Sequence, residues 1–142
     1  MLKHTTHIRV NYGETDNMGF VHHSNYARYY ETARWEMFRD LGISYKSIEQ
    51  MGLLMAVVDM NISYKKPAFY DDQLDVITCI VENAGACIQF HYKILNEKGE
   101  CINTADMRMA FIKKSTNRSC KPPQKLIDIL QNEFVSEEQL FV

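Results

Sequence analysis

No C-x-x-C pair occurs among the four cysteines, Cys79, Cys87, Cys101 and Cys120, and no apolar signal run opens the chain. Ordinary reduced thiols are expected rather than a disulfide framework, which points to a cytoplasmic protein. No window approaches ~20 continuous apolar residues, so no membrane-spanning helix is expected. Basic residues do not outnumber acidic ones, and the formal net charge is −2. That argues against a general nucleic-acid binder, whose footprint is a basic excess. It leaves room for local basic patches that grip a phosphorylated small molecule. There is no H-x-x-x-H pair, no internal repeat, no low-complexity segment and no linker. No metal site is expected on these grounds.

What remains is a globular chain of 142 residues, 46% hydrophobic and 24% charged. That is the size of one domain, 1–142, able to bury a core without covalent staples. Thr5 to Tyr12 alternates, with Ile8, Val10 and Tyr12 on one face, and reads as a half-buried strand. The loop from Gly13 to Gly19 has no period and contains Glu14, Thr15, Asp16 and Asn17. Ser24 suits a helix N-cap, with Asn25 just inside. Tyr26, Tyr30, Ala33, Met37 and Leu41 then recur at helical spacing; Tyr29 and Phe38 widen the stripe, and Gly42 is placed to end it. A short helix is expected from Tyr45 to Met51, closed by Gly52.

Four strand patterns follow. Val58, Met60, Ile62 and Tyr64 alternate up to Pro67, and Asp71-Asp72 make a turn. Leu74, Val76 and Ile80 share a face, and Asn83-Ala84-Gly85 reads as a tight hairpin. Ile88, Phe90, Tyr92 and Ile94 form the next face, and Asn96 to Gly99 another hairpin loop. Ala105, Met107, Met109 and Phe111 line the last strand. Pro122-Pro123 opens a short helix with Leu126, Ile127 and Leu130 on its apolar side; the tail from Asn132 is expected to fray. Short connections make consecutive strands expected antiparallel neighbours. One apolar helix must then serve five strands, and a twisted sheet curled around it solves the burial problem. This is an α+β class. Its exposed sheet edges make association with a second copy a natural expectation.

The chemistry is expected where the acidic loop meets the long helix, at Asp16 and His23. Backbone N–H groups at a helix start lack partners, and the helix dipole favours negative charge there. A carbonyl placed at that point is stabilised as it gains charge, and a carboxylate opposite is able to attack its carbon or activate water. The plainer reading is that Asp16 caps a turn and the His23 ring is structural. On the helix, Glu31 and Arg34 have the spacing of a routine ion pair. Adjacent histidines in extended backbone would point apart.

The stretch G-E-T-D-N-M-G-F-V-H-H-S-N-Y, continuing through Y-Y-E-T-A-R, resembles the hot-dog-fold acyl-CoA thioesterases of the 4-hydroxybenzoyl-CoA thioesterase type. That family carries D-x-x-G-x-V-x-H/Y-x-N-Y ahead of a long central helix. A weaker likeness continues through S-Y-K-K-P-A-F-Y-D-D, and together they cover most of the chain, Ile8 to Ile112. The resemblance implies a hot-dog fold, a curled antiparallel sheet wrapped around one long helix. It implies hydrolysis of an acyl thioester to free acid and thiol, with no metal and no organic cofactor. Asp16 takes the place of the catalytic carboxylate, as nucleophile or general base. His23 takes the place whose backbone N–H polarises the thioester carbonyl, with its ring a candidate assistant. Met18, Gly19 and Glu31 are expected near the substrate, which is an acyl-CoA or an acyl carrier protein. Homodimers or homotetramers with sites between subunits are also implied. His22 and Met18 depart from the common pattern, so the acyl class does not transfer. An acyl-CoA-binding protein without hydrolysis and a hydratase are the competing readings. The phosphates of CoA have Lys65, Lys66, Arg108, Lys113 and Lys114 as candidate contacts.

Overall fold

In the computed structural model, residues 2–84 and 87–133 are described. The helical stripe of the sequence forms α1, Asn25–Asp40, whose Tyr26, Tyr29, Tyr30, Ala33, Met37 and Phe38 are buried. Burying a side chain such as Met37 or Phe38 contributes about 1.5–3 kcal/mol. Ser24 holds the N-cap position but makes no side-chain cap bond; its hydroxyl partners Nδ1 of His22 at 2.8 Å instead. At the other end Gly42, with φ +80°, donates to the Arg39 carbonyl, and Ile43 donates to that of Phe38. This is the Schellman closure, and the buried Phe38 and Ile43 supply its apolar contact.

Around α1 run β1 (Leu2–Arg9), β2 (Leu53–Tyr64), β3 (Gln73–Ala84), β4 (Cys87–Leu95), β5 (Cys101–Lys113) and β6 (Arg118–Cys120), with α2 (Tyr45–Gln50) before β2 and α3 (Gln124–Glu133) last. The sheet order is β1-β3-β4-β5-β2, with β6 added to β5, and every pairing is antiparallel. This is the curled antiparallel sheet around one long helix that the resemblance implied. Leu74, Val76 and Ile80 of β3, Ile88, Phe90 and Ile94 of β4, and Met107, Met109 and Phe111 of β5 are buried.

Several details differ from expectation. The first strand begins at Leu2 and ends at Arg9, and Tyr12 lies outside it, 76% exposed, in a 3₁₀ turn. β2 does not pair with β3. It lies at the far edge beside β5, and the chain returns through 65–72 to place β3 between β1 and β4. The connection that makes this crossing, 65–72, bonds the loop before α1 through the Ala68 carbonyl. β6 was not foreseen, because its three residues carry no period. The hairpin expected at Asn83-Ala84-Gly85 and the tail beyond 133 fall partly or wholly outside the described residues.

Arg34 corrects the expected surface ion pair with Glu31. It falls one helical turn from both Tyr30 and Phe38, so it faces inward and is 6% exposed. Its Nη1 donates to the Tyr92 hydroxyl at 3.5 Å, and its Nε has no partner among the described residues. Glu31 stays exposed.

Two tests follow from this packing. Gly42→Ala puts a side chain into left-handed backbone and costs about 1 kcal/mol; the urea midpoint should fall with the slope unchanged. The phenols of Tyr26, Tyr29, Tyr30 and Tyr92 are all pushed above their ordinary value of 10.0 by burial. In the unfolded chain they ionise near pH 10, whereas the folded protein holds them neutral at higher pH. Their stabilising contribution is therefore full below pH 10 and is lost as pH rises beyond it. Urea midpoints at pH 8, 10 and 11 should decline in that order above pH 10, with phenolate absorbance appearing as the chain unfolds.

Candidate active site

The loop between β1 and α1 closes on itself at Asp16. Asp16 N–H donates to the Phe20 carbonyl and Gly19 N–H to the Asp16 carbonyl, each at 3.0 Å. Gly19 adopts φ +88°, which lets the turn close without strain. One Asp16 carboxylate oxygen accepts from Met18 N–H at 2.9 Å. The turn-capping reading of Asp16 is thus observed. Its other oxygen has no hydrogen bond among the described residues. A bridge between Phe20 and Phe69, and a bond from Val21 N–H to the Ala68 carbonyl at 2.8 Å, tie this loop to the 65–72 connection.

Glu14 fastens the loop to the helix. Its carbonyl accepts from His22 N–H at 2.9 Å and from Asn25 Nδ2 at 2.8 Å. Its carboxylate accepts from Asn11 N–H at 2.7 Å and from the Tyr29 hydroxyl at 3.0 Å. Four donors on one residue hold the segment before α1 in place. The bond to this carboxylate, after burial, helps keep the Tyr29 phenol protonated. Sequence periodicity could not reveal Glu14 in this role, since a bond from a phenol fifteen residues later leaves no pattern. Its only signal was its place inside the G-E-T-D run.

His22 and His23 precede the first helical turn. Their rings do not point apart: the centroids are 4.2 Å from one another, tilted by 34°. The backbone here is already turning into α1, so the alternation of an extended strand does not apply. The backbone N–H of His23 has no acceptor among the described residues, and its carbonyl takes the Tyr64 hydroxyl at 3.5 Å.

Asp16 and His23 come together on one cleft of about 400 Å³. Met18, Phe20 and Tyr64 give it apolar walls, Tyr26 lies buried at its inner side, and Lys65 and Lys66 line it as well. Gly19 shapes the turn beside the cleft without lining it, and Glu31 is not among the lining residues. Of the other candidate cations, Lys66 pairs with Glu100 and Arg108 with Asp59. Lys113 and Lys114 sit at the opposite end of β2, by a separate hollow of about 400 Å³ with Met51 and Gly52. Tyr64 and Phe20 were missed as site residues, because their strand and loop positions read as ordinary packing.

Chemically, the cleft offers a carboxylate with a free oxygen, an unpaired N–H, and the positive end of a 16-residue helix. A carboxylate can act as a base or nucleophile, and a helix start can stabilise developing negative charge.

Residues 10–130 match the Thioesterase-like superfamily. The Bacillus subtilis (strain 168) protein YneP is 44% identical over 93 residues, 66% of this chain and 67% of that one. The acyl-CoA thioester hydrolase YbgC of Escherichia coli O157:H7 is 33% identical over 105 residues, covering 74% of this chain and 78% of its own. Among solved structures, the DHNA-CoA thioesterase of Staphylococcus aureus superposes with a TM-score of 0.84 at 32% identity, covering 94% of this chain and 95% of its own. Sequence, fold and cleft therefore agree: the chain belongs to the thioesterase-like superfamily and has its hot-dog fold.

Proposed function

We propose that this protein hydrolyses acyl thioesters, acyl-CoA first among them, at the cleft between Asp16 and the start of α1. The observation that carries this reading is that Asp16 and His23 line one cleft, with one Asp16 carboxylate oxygen and the His23 N–H both without a partner among the described residues. The thioester carbonyl oxygen lies toward that N–H, where charge gained in the tetrahedral transition state is stabilised. Asp16 either takes a proton from the attacking water or attacks the carbonyl carbon itself, giving an anhydride that water then opens. The carbon–sulfur bond breaks, the thiolate takes up a proton, and free acid and thiol leave. The bond from Met18 N–H leaves one carboxylate oxygen for this work and keeps the group aimed. The E. coli relative is named for acyl-CoA and the S. aureus relative for DHNA-CoA, which supports CoA as the handle. A carrier-protein thioester presents the same reacting atoms and is the alternative. The protein is further proposed to act as a homo-oligomer.

One observation favours a second reading, acyl-CoA binding without hydrolysis: Asp16 already has a turn to cap. Asp16→Asn separates the two. Asparagine keeps the oxygen that accepts from Met18 N–H but cannot act as a base, so the turn should survive. Turnover of an acyl-CoA should drop by about 10²–10⁴-fold, with the thermal midpoint nearly unchanged. Turnover retained in a folded variant would mean that Asp16 is only a cap.

A further inference from the structure

Arg34 is a buried cation for which the interior holds no anion. It is 6% exposed, and no Asp or Glu is buried among the described residues. A guanidinium keeps its charge inside a protein, and an unpaired one does not recover the hydration it gives up there. Nη1 touches neutral groups, the Tyr92 hydroxyl at 3.5 Å and Met107 Sδ at 3.7 Å. Nε has no partner among the described residues, and neither have Asn103 Nδ2 and Thr78 Oγ1. All three are able to donate. They gather around two phenols: Tyr30 donates to Asn103 Oδ1, its ring stands 4.6 Å from that of Tyr92, and Thr78 pairs across from Tyr92. The interior around Arg34 thus has donors and positive charge to spare and lacks a negatively charged acceptor.

Two rails join the cleft to this place. On α1, Tyr26, Tyr30 and Arg34 follow at four-residue steps and are all buried. From Tyr26 to Arg34 the helix advances about 12 Å. On β2, Tyr64, Ile62 and Met60 stand across from Asn103, Ala105 and Met107 and share their helix-side face. From Tyr64 to Met60 the strand advances about 13 Å. Both rails start in the cleft, where the Tyr26 and Tyr64 rings are 5.5 Å apart. Both end at Met107, which pairs with Met60 and touches Arg34. The strand side of this path is open: Tyr64 is 53% exposed and Ile62 and Met60 are half-buried, while their partners on β5 are buried.

We propose that Arg34 sets the acyl specificity: it takes the far carboxylate of an acyl group that lies along this path, so the preferred substrates are half-thioesters of α,ω-dicarboxylic acids. This rests on reading the cleft as a thioester site. The free Nε is one prong of the fork on which a guanidinium takes a carboxylate. The bound carboxylate supplies the missing negative charge. An acyl chain that ends in a methyl group leaves the guanidinium unpaired and is disfavoured for that reason. The path selects length as well. An extended chain covers about 3.5 Å for every three bonds, so roughly ten carbons reach from the cleft to Arg34.

Decanoyl-CoA and the sebacic half-thioester of CoA have chains of that length and differ only at the far end. Wild type should cleave the sebacic ester with a kcat/KM about tenfold or more above that for decanoyl-CoA. Arg34→Met removes the charge and the donors, and an apolar side chain in place of an unpaired buried charge leaves the fold intact. In that variant KM for the sebacic ester should rise about tenfold or more, with KM for decanoyl-CoA within about threefold of wild type. No preference in wild type, or an equal loss with both esters, would overturn the inference and leave the role of Asp16 standing. Binding is read apart from hydrolysis. Free sebacate should raise the thermal midpoint of wild type more than decanoate does at equal concentration, and Arg34→Met should abolish the difference. If no ester is cleaved, the thioester reading fails, and this comparison alone decides on Arg34: equal midpoints with the two acids would count against it. If Arg34→Met does not fold, the two esters and the two acids on wild type decide in the same way.

Discussion

Tyr30, Ala33, Met37 and Phe38 each sit about one helical turn or less from the next, and each is at most 1% exposed. A helix with so wide an apolar stripe has to be enclosed, and the chain has one sheet with which to do it. A flat sheet would leave the flanks of that stripe in water. The curl that covers them sends β1 and β2 to opposite edges and routes the 65–72 connection past the helix start. The cleft is a consequence of this enclosure. It forms where the last residue of β2, the returning connection and the first turn of α1 meet.

Glu14 converts that meeting point into a fixed geometry. A carboxylate and a carbonyl that together take four donors leave the preceding loop little freedom. Asp16 follows two residues later and is held by its own turn. His22 N–H, and not that of His23, anchors the segment, and the His23 N–H has no acceptor among the described residues. On the proposed reading this matters, since groups held in place need no reorganisation when charge develops.

The sequence made the elements legible and left their arrangement partly hidden. Periods of 3.6 and 2 marked α1 and the long strands, because burial on one face imposes them. Gly42 and Gly52 marked helix ends, because left-handed backbone favours glycine there. Sheet order was not legible: β2 and β3 are joined by a short connection of the kind that usually pairs neighbours, yet β2 lies beside β5 and β3 between β1 and β4. Arg34 read as a surface charge because its residue type outweighed its position on the inward stripe. The histidine pair was misjudged because strand geometry was assumed where the backbone already turns into a helix. The motif singled out Asp16 and His23, and the two line one cleft. Glu14, Phe20 and Tyr64 were not legible, since their roles depend on partners distant in sequence.

The account stands first on the chemistry of the cleft. Its most direct test is thiol release by the wild-type protein from a panel of short, long and aromatic acyl-CoAs, with the free acid measured in parallel. The account predicts equal amounts of thiol and acid from at least one class of ester, well above the rate in buffer. No release above that rate from any ester, with a carrier-protein thioester included in the panel, would contradict it.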